Sequence, residues 1–325
     1  PDVGPARASS YAQAFASAMR YGFGAGDIVA RSYDILSAAF TVVLSCQLPE
    51  GLGVLPAAAV LCGHTDGPID QAGLWSALSR QRRVGPEMDR ALDDWERFMA
   101  LSARERQRDF AAPMNKLTSL LRAAPYLWRP DPAAQWVPIR DVLSFGGAAV
   151  VNFGGLPGDA SEWLPSIFTH LLWSAVRETC GDWGEGGRAV KFFTDELDYI
   201  SGRGSDGDVI EDMASKGRSY GLQMGLATQR FGQLPARTAS AVRGMSTKGY
   251  LRAENAALAQ EAVDDLTGGA LDSFTEGDLR SLPRYVAALR TRANGEPQPA
   301  FTLHVADDRA LDVAHMRPDL MAGAR

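Results

Sequence analysis

Residues 190–196 read VKFFTDE, and residues 214–229 read ASKGRSYGLQMGLATQ. The first stretch is a short apolar run that ends in the acidic pair Asp195 and Glu196. The second contains another apolar run, which closes with Gln229. Buried strands of a parallel sheet are apolar along their whole length, and open α/β sheets bind ligands at the carboxyl ends of their strands. These two stretches therefore predict a mixed α/β region with a polar site at the ends of its strands.

A third apolar run, AAVVNF at residues 148–153, lies upstream between glycines. Helical patterns at 162–179 and 209–220 separate the three runs from one another. The order strand, helix, strand, helix, strand is typical of a doubly wound α/β fold. We predict a mostly parallel sheet flanked by helices, followed by strands at 247–251, 285–290 and 301–305 and a helix at 254–266.

The first third of the chain has the spacing of amphipathic helices, in which apolar residues recur every three or four positions. Met88, Leu92 and Trp95 share one face of such a helix, and Pro86 stands where helices commonly begin. A proline-rich segment at 125–138 ends the helical pattern. The predicted helices are 10–21, 28–45, 74–83, 87–101 and 103–121. We predict three parts, namely an all-α domain at 1–135, an α/β domain at 136–310 and a tail at 311–325.

Composition excludes several classes of protein. The 325 residues are 46% apolar and 22% charged, which is typical of a chain that buries a large core and excludes global disorder. Three cysteines and four histidines show no ligand spacing, so the sequence predicts neither a disulfide scaffold nor a structural zinc site. No apolar run reaches the roughly 18 residues that a membrane-spanning helix needs. The net charge of −6 argues mildly against a protein that coats nucleic acid, and it does not decide the partner.

An acidic pair is weak evidence for catalysis when it is taken alone. Two further pairs, Asp93-Asp94 and Asp264-Asp265, lie in predicted helices, and we interpret both as solvated helix faces. Asp195 and Glu196 differ from them because they follow a predicted buried strand. The residues that come next along the chain strengthen the distinction.

The order of these residues resembles that of a known family. The pair at 195–196, a helix ending in G-R-x-x-G at 217–221, and an apolar strand ending in A-T-Q at 227–229 are similar to the FtsK/HerA-like ATPases. Within that superfamily the chain most resembles the TraG/TraD-like coupling proteins of type IV secretion and conjugation. The resemblance runs from about 145 to 305 and includes the segment GDLRSLP at 277–283. It implies a RecA-like sheet, in the part of the family fold that lies downstream of the Walker A strand.

The resemblance also implies roles for four residues, with ATP and Mg²⁺ as cofactors. Asp195 would be the magnesium ligand of a Walker B site, and Glu196 would be the general base that accepts a proton from the attacking water. Arg218 would reach the γ-phosphate in a neighbouring subunit, and Gln229 would be the polar sensor at the end of the next strand. The residues alone leave ordinary interpretations open. Arg218 could simply complement the dipole at the C-terminus of its helix, and Gln229 could be an ordinary polar residue at the end of a strand.

The sequence departs from the family at the phosphate-binding loop. None of the four lysines, Lys116, Lys191, Lys216 and Lys248, has the flanking residues of the motif G-x-x-x-x-G-K-[ST]. Without that loop, the phosphates of a nucleotide lack their backbone N–H donors and their lysine. We therefore expect that this chain alone does not bind ATP tightly and that it is the downstream part of a longer coupling ATPase. The alternative is a degenerate relative that has kept the fold and lost hydrolysis.

The function implied by the resemblance is a portion of a hexameric ATPase that translocates DNA and drives transfer of DNA or protein in conjugation or type IV secretion. The implied partners are DNA, a relaxase or secretion substrate, the type IV secretion machinery and further copies of the chain. The implied location is the cytoplasm at the inner face of the cell membrane, with membrane contact through a segment outside this sequence. Two alternatives stay open: a non-hydrolysing module that recognises a relaxase or secretion substrate, and a HerA-like DNA-processing translocase.

Overall fold

The computed structural model describes residues 5–24, 26–66, 69–81, 85–123, 138–156, 160–201, 209–229, 231–267 and 274–304. The chain divides into two compact units, Pro1–Ala241 and Val242–Arg325. Both units contain helices and strands, which confirms the mixed α/β class. The boundaries predicted at 135 and 311 lie outside the described residues, so the predicted division into domains stays a prediction.

The described part of the chain before residue 124 is helical and has an extensive apolar core. Its helices are α1 (Pro5–Phe23), α2 (Ala30–Ser45), α3 (Val54–Leu61), α4 (Gln71–Ser79), α5 (Pro86–Met99) and α6 (Ala103–Ala123). α5 begins at Pro86, and its apolar stripe, which includes Leu92 and Trp95, is buried as the spacing predicts. Only α3 has no counterpart among the predicted helices. None of the described helices is both long enough and apolar enough to cross a membrane.

Two further helices of the first unit, α7 (Ile139–Phe145) and α8 (Ala160–Thr179), precede the parallel strands. α8 packs closely against α1, where the ring centroids of Phe23 and Trp163 lie 4.9 Å apart. Gly22 permits this approach, because a Cβ at that position would lie 2.7 Å from Cγ1 of Ile167. The contact places the first half of α8 on the helical core.

In the described part of the chain, the parallel strands are β1 (Val190–Thr194) and β2 (Leu222–Leu226). The two strands pair in register from Val190 with Leu222 to Thr194 with Leu226. Between them lie α9 (Leu197–Ile200), α10 (Val209–Lys216) and a 3₁₀ turn (Gly217–Tyr220). The predicted helix at 209–220 thus changes to a 3₁₀ turn for its last four residues. Because the strands are parallel, their carboxyl ends share one edge of the pair and their amino ends share the other.

The predicted strand at 148–153 is wrong. These residues have no regular secondary structure, and the side chains of Val150 and Val151 are 96% and 44% exposed. A strand forms only where a neighbour supplies partners for its backbone N–H and C=O groups. Among the described residues no strand pairs with this segment, so the larger parallel sheet predicted from the sequence is reduced there to β1 and β2.

The described residues of the second unit form an antiparallel sheet and two helices. After α11 (Ala236–Arg243), which crosses the boundary, come β3 (Lys248–Tyr250), α12 (Ala256–Thr267), α13 (Glu276–Arg280), β4 (Val286–Arg290), β5 (Arg292–Ala293), β6 (Glu296–Pro297) and β7 (Phe301–His304). The sheet order is β3-β4-β7. The strands lie within one residue of the predicted ranges, but their antiparallel pairing departs from the mostly parallel sheet that we predict. The hairpin of β5 and β6 reverses the chain between β4 and β7, and this reversal explains the antiparallel pairing of those two strands.

Candidate functional site

The ends of β1 and β2 lie side by side at the carboxyl edge of the parallel pair. The backbone N–H of Ala227 donates to the carbonyl of Thr194 at 2.9 Å, and the N–H of Leu197 donates to the carbonyl of Ala227 at 2.8 Å. Backbone pairing therefore continues past the last residues of both strands. The loop that carries Asp195 and Glu196 is fixed against the loop that follows β2.

Three of the four predicted site residues lie at this edge. The side-chain amide of Gln229 donates from Nε2 to Oε1 of Glu196 at 2.6 Å. Asp195 immediately follows β1 and is exposed, whereas Glu196 is half-buried. The structure thus brings the predicted general base and the predicted sensor into direct contact, with the predicted magnesium ligand next to them in sequence.

Two residues to which the sequence pattern assigns no role support the same edge. Oγ1 of Thr228 donates to Oδ1 of Asp198 at 2.7 Å, directly beside the pair of Gln229 and Glu196. The sequence offers a signal for them, since a further acid follows the acidic pair within α9 and a threonine precedes the glutamine. These two cross-strand hydrogen bonds join the side chains of the two loops.

The short helix α9, which follows the acidic pair, is itself fixed by the helical region. The hydroxyl of Tyr21 in α1 donates to the carbonyl of Ile200 at 3.1 Å. The hydroxyl of Ser166 in α8 donates to the carbonyl of Tyr199 at 2.9 Å. Carbonyls at the end of a helix have no partner within it, and these hydroxyls supply one. The position of the acidic loop therefore depends on α1 and α8 as well as on the strands.

Arg218 lies elsewhere, in the 3₁₀ turn at the amino end of β2. The strand of five residues that separates this turn from the carboxyl edge spans about 17 Å at about 3.3 Å per residue. The side chain of Arg218 is exposed, and within the described part of the chain it has no ion-pair partner. A single copy of the chain does not bring Arg218 together with Asp195, Glu196 and Gln229.

The acidic edge suits magnesium better than a metal held wholly by protein. The described residues contain no group of three or more histidine, cysteine or acidic side chains that could enclose an ion. Mg²⁺ in nucleotide sites typically binds one or two carboxylates and takes its remaining oxygens from water and phosphate. The exposed carboxylate of Asp195 fits the protein's share of such a coordination shell.

Comparison with known proteins finds likeness in structure only. No protein-family model and no curated protein matches the sequence. Among solved structures, an unbound form of the bacterial conjugative coupling protein TrwB is 13% identical, with a TM-score of 0.53 over 90% of this chain and 68% of that one. TrwB in complex with ADP and Mg²⁺ is 14% identical, with a TM-score of 0.55 over 92% of this chain and 68% of that one.

A third form of TrwB, in complex with sulphate, agrees with these two at 13% identity and a TM-score of 0.55. The class that these structures define is the conjugative coupling protein fold. Identities this low establish the fold alone. At that level the resemblance to coupling proteins stated from the sequence motifs is confirmed, and it extends over the helical region as well as over the strands.

Proposed function

We propose that the chain is a portion of a hexameric coupling ATPase that translocates DNA and drives transfer of DNA or protein in conjugation or type IV secretion. The observation that carries the proposal is the convergence of Asp195, Glu196 and Gln229 at the carboxyl edge of two paired parallel strands. Open α/β sheets bind ligands at this edge. The likeness of the fold to TrwB, of which one structure holds ADP and Mg²⁺, supports a nucleotide as that ligand.

In this proposal Glu196 is the general base of ATP hydrolysis. The amide of Gln229 fixes one oxygen of its carboxylate at 2.6 Å, so the base is oriented before water arrives. Gln229 is then well placed to respond to the terminal phosphate, because its amide contacts the group that activates the water. Asp195 would hold the magnesium ion, which when bound neutralises charge on the phosphate oxygens.

The phosphate-binding loop is proposed to come from a polypeptide segment outside these 325 residues. No G-x-x-x-x-G-K-[ST] motif occurs in the sequence. The side chain of Phe193 in β1 is 75% exposed, so an apolar group of the parallel pair is uncovered. The structural match covers only 68% of the TrwB chain. We propose that the missing segment adds a strand and covers this face, which would complete a RecA-like, mostly parallel sheet.

Arg218 is proposed to act on the nucleotide of a neighbouring subunit. Its turn lies at the amino edge of β2, about one strand length, or roughly 17 Å, from the acidic edge of its own chain. An exposed arginine with no ion pair in the described chain is free to approach a second copy. There it would stabilise the negative charge that develops on the transferred phosphoryl group.

The wider role follows from the class of protein. We propose DNA and a relaxase or secretion substrate as the cargo, with the type IV secretion machinery as the partner that receives it. The proposed location is the cytoplasmic side of the cell membrane, reached through a segment outside this sequence. These partners distinguish the proposal from a HerA-like translocase, which would have the same site and a different cargo.

The proposal is tested by ATP hydrolysis in the full-length protein that contains this chain. Glu196→Gln is expected to retain nucleotide and abolish turnover, and Arg218→Ala is expected to lower turnover by about 10³-fold or more without loss of nucleotide binding. Glu254→Gln, which alters an exposed acid of the second unit, is the control and should keep the wild-type rate. Near-normal rates for both site variants would overturn the assignment. A wild-type protein that binds DNA or a relaxase without hydrolysing ATP would instead establish the non-hydrolysing module.

A further inference from the structure

The 3₁₀ turn Gly217–Tyr220 presents Arg218 to solvent while the residues around it are fixed. The N–H of Gly221 donates to the carbonyl of Arg218 at 3.1 Å and closes the turn. The hydroxyl of Ser219 donates to the carbonyl of Lys216 at 2.8 Å. Gly217 is buried against Leu222, where a Cβ would meet side-chain atoms at 3.0 Å. The turn therefore has little freedom to move apart from the side chain of Arg218.

The indole of Trp173 in α8 joins the turn to the helical region. Trp173 is 1% exposed, and its Nε1 donates to Oδ2 of Asp212 at 2.7 Å. The ring of Tyr220 stands nearly perpendicular to the indole, with 5.4 Å between centroids. Asp212 also pairs with Lys216. Lys216 precedes Arg218 by two residues and Tyr220 follows it by two. Asp212 therefore holds the chain before Arg218, and Trp173 contacts the chain after it.

The charge on Asp212 is favoured by these contacts. Partial burial is the largest single influence and raises the pKa of its carboxyl, but the hydrogen bonds from Lys216 and Trp173, together with the positive charges of Lys216 and Arg177, lower the pKa overall. A charged acceptor makes the hydrogen bond from the indole stronger than one between neutral groups. The contact between α8 and α10 is thus maintained at neutral pH.

Gly184, in the loop before β1, contacts the turn from the other side. Its N–H donates to the carbonyl of Ser219 at 3.2 Å. A Cβ at this position would lie 2.2 Å from the carbonyl oxygen of Arg218 and 2.7 Å from that of Ser219, which is closer than carbon and oxygen atoms can approach. Gly184 does not have a positive φ, so only the close approach requires a glycine here.

We propose that Gly184 and the hydrogen-bonded pair of Trp173 and Asp212 are positioning residues for Arg218. The inference rests on the proposed function, in which Arg218 acts on a neighbouring subunit. A guanidinium that must reach a phosphate in another subunit needs a rigid backbone beneath it, because a displacement of about 1 Å can cost about 100-fold in rate. Trp173, Asp212 and Gly184 hold the backbone of the turn in one subunit, and the reaction takes place in the neighbouring subunit.

Steady-state kinetics of the full-length ATPase test the proposal first. Gly184→Ala is expected to lower kcat by about 30- to 100-fold with KM for ATP unchanged, since the nucleotide site of each chain is intact. The matched control is Gly181→Ala in the same loop, where a Cβ meets nothing within 4 Å and φ is not positive. It should keep the wild-type kcat, and a control that loses as much as Gly184→Ala would refute the specific role of the contact.

Mixed rings separate a positioning role from general damage. Subunits with Gly184→Ala keep Glu196, and subunits with Glu196→Gln keep an undamaged Arg218 turn. Mixing the impaired protein with the inactive one should therefore raise hydrolysis above that of either alone, at the interfaces that they share. A mixture of Gly184→Ala with Arg218→Ala should show no such gain, because neither supplies a correctly placed arginine. Equal results from the two mixtures would overturn the inference.

Trp173→Phe provides a second variant if Gly184→Ala does not fold. Phenylalanine keeps an aromatic ring beside Tyr220 but cannot donate to Asp212, and we expect about a 10-fold loss of kcat with the same pattern in mixed rings. The failures are distinguishable. If Arg218→Ala hydrolysed ATP at the wild-type rate, or if the unaltered protein hydrolysed no ATP, the proposed function would be refuted together with this inference. Loss in Arg218→Ala with wild-type turnover in Gly184→Ala and Trp173→Phe would refute the positioning role alone.

Discussion

Acid should destabilise the first unit through His170 of α8. The imidazole lies 5.9 Å from the ring of Tyr21, and its Nδ1 is buried with no hydrogen-bond partner among the described residues. Burial and then the positive charge of Arg177 lower the pKa of His170 from its ordinary value of 6.5 to about 4, while the charge of Asp212 opposes the shift. The histidine is therefore neutral in the folded protein at neutral pH.

The direction of the effect follows from the lowered pKa. Below pH 6.5 the unfolded chain binds a proton at His170, whereas the folded chain does not bind it until about pH 4. The stability contributed by this group is complete above pH 6.5 and is lost as the pH falls from 6.5 towards 4. At about 1.4 kcal/mol per pKa unit, a change from pH 7 to pH 5 costs about 2 kcal/mol. That is about 4–8 °C in Tm for a cooperative unit of about 150–250 residues.

Thermal unfolding at pH 7 and pH 5, followed by circular dichroism, measures this loss. His170→Phe keeps an aromatic ring beside Tyr21 but does not titrate, so its Tm should fall by about 4–8 °C less than that of the wild type. Carboxylates that titrate in the same range cancel in the comparison. His304→Gln, at an exposed position in β7, should behave as the wild type does. Equal falls in the wild type and His170→Phe would show that His170 is not held neutral by its surroundings.

Two further substitutions test packing in each unit. Asp265→Ala should destabilise the second unit by about 2–3 kcal/mol in thermal unfolding. The carboxylate of Asp265 accepts hydrogen bonds at 2.5 Å from Nζ of Lys248 and at 2.5 Å from the hydroxyl of Tyr250, and the substitution leaves both largely buried donors without this acceptor. An unchanged Tm would contradict this expectation. Gly22→Ala should lower the free energy of unfolding by about 1–3 kcal/mol, because its Cβ would clash with α8. Gly26→Ala is the control and should leave that free energy unchanged, since a Cβ there meets nothing within 4 Å. Similar values for the two variants would disprove the close approach of α1 and α8.

The elements best predicted from the sequence are those whose cause is local. β1 occupies the predicted residues 190–194, because a run of β-branched and aromatic residues closed by charged ones specifies a short strand without reference to other parts of the chain. Its predicted burial is wrong, since none of its five residues is buried and Phe193 is 75% exposed. α5 follows its apolar stripe and its initial Pro86 in the same way. The predicted helix at 209–220 shortens at Gly217 because that residue is buried against Leu222 and Gly221 adopts a positive φ, and both causes depend on the strand that follows.

Pairing between strands was predictable only in part, because it depends on distant residues: β1 and β2 pair in parallel as predicted, but the segment at 148–153 does not join them. The run at 148–153 has the composition of a buried strand, yet the described residues contain no partner for it, and its Val150 is 96% exposed. The carboxyl-edge site was predictable in outline, since parallel strands bring Glu196 and Gln229 together wherever both strands end. The hydrogen bond between Thr228 and Asp198 depends on the register of the strands and was not predictable.

The position of Arg218 shows why neighbours in sequence need not share a site. Arg218 and Gln229 precede and follow the same strand, and a strand in a parallel pair separates whatever lies at its two ends by its full length. Under the proposed function, a reaction that uses both residues therefore requires two copies of the chain, one supplying Glu196 and Gln229 and the other supplying Arg218. The contacts of Trp173 and Gly184 with the turn then affect hydrolysis in the neighbouring subunit rather than in their own. A substitution of Trp173 or Gly184 should consequently leave the nucleotide affinity of its own subunit unchanged and lower the turnover of the neighbouring subunit.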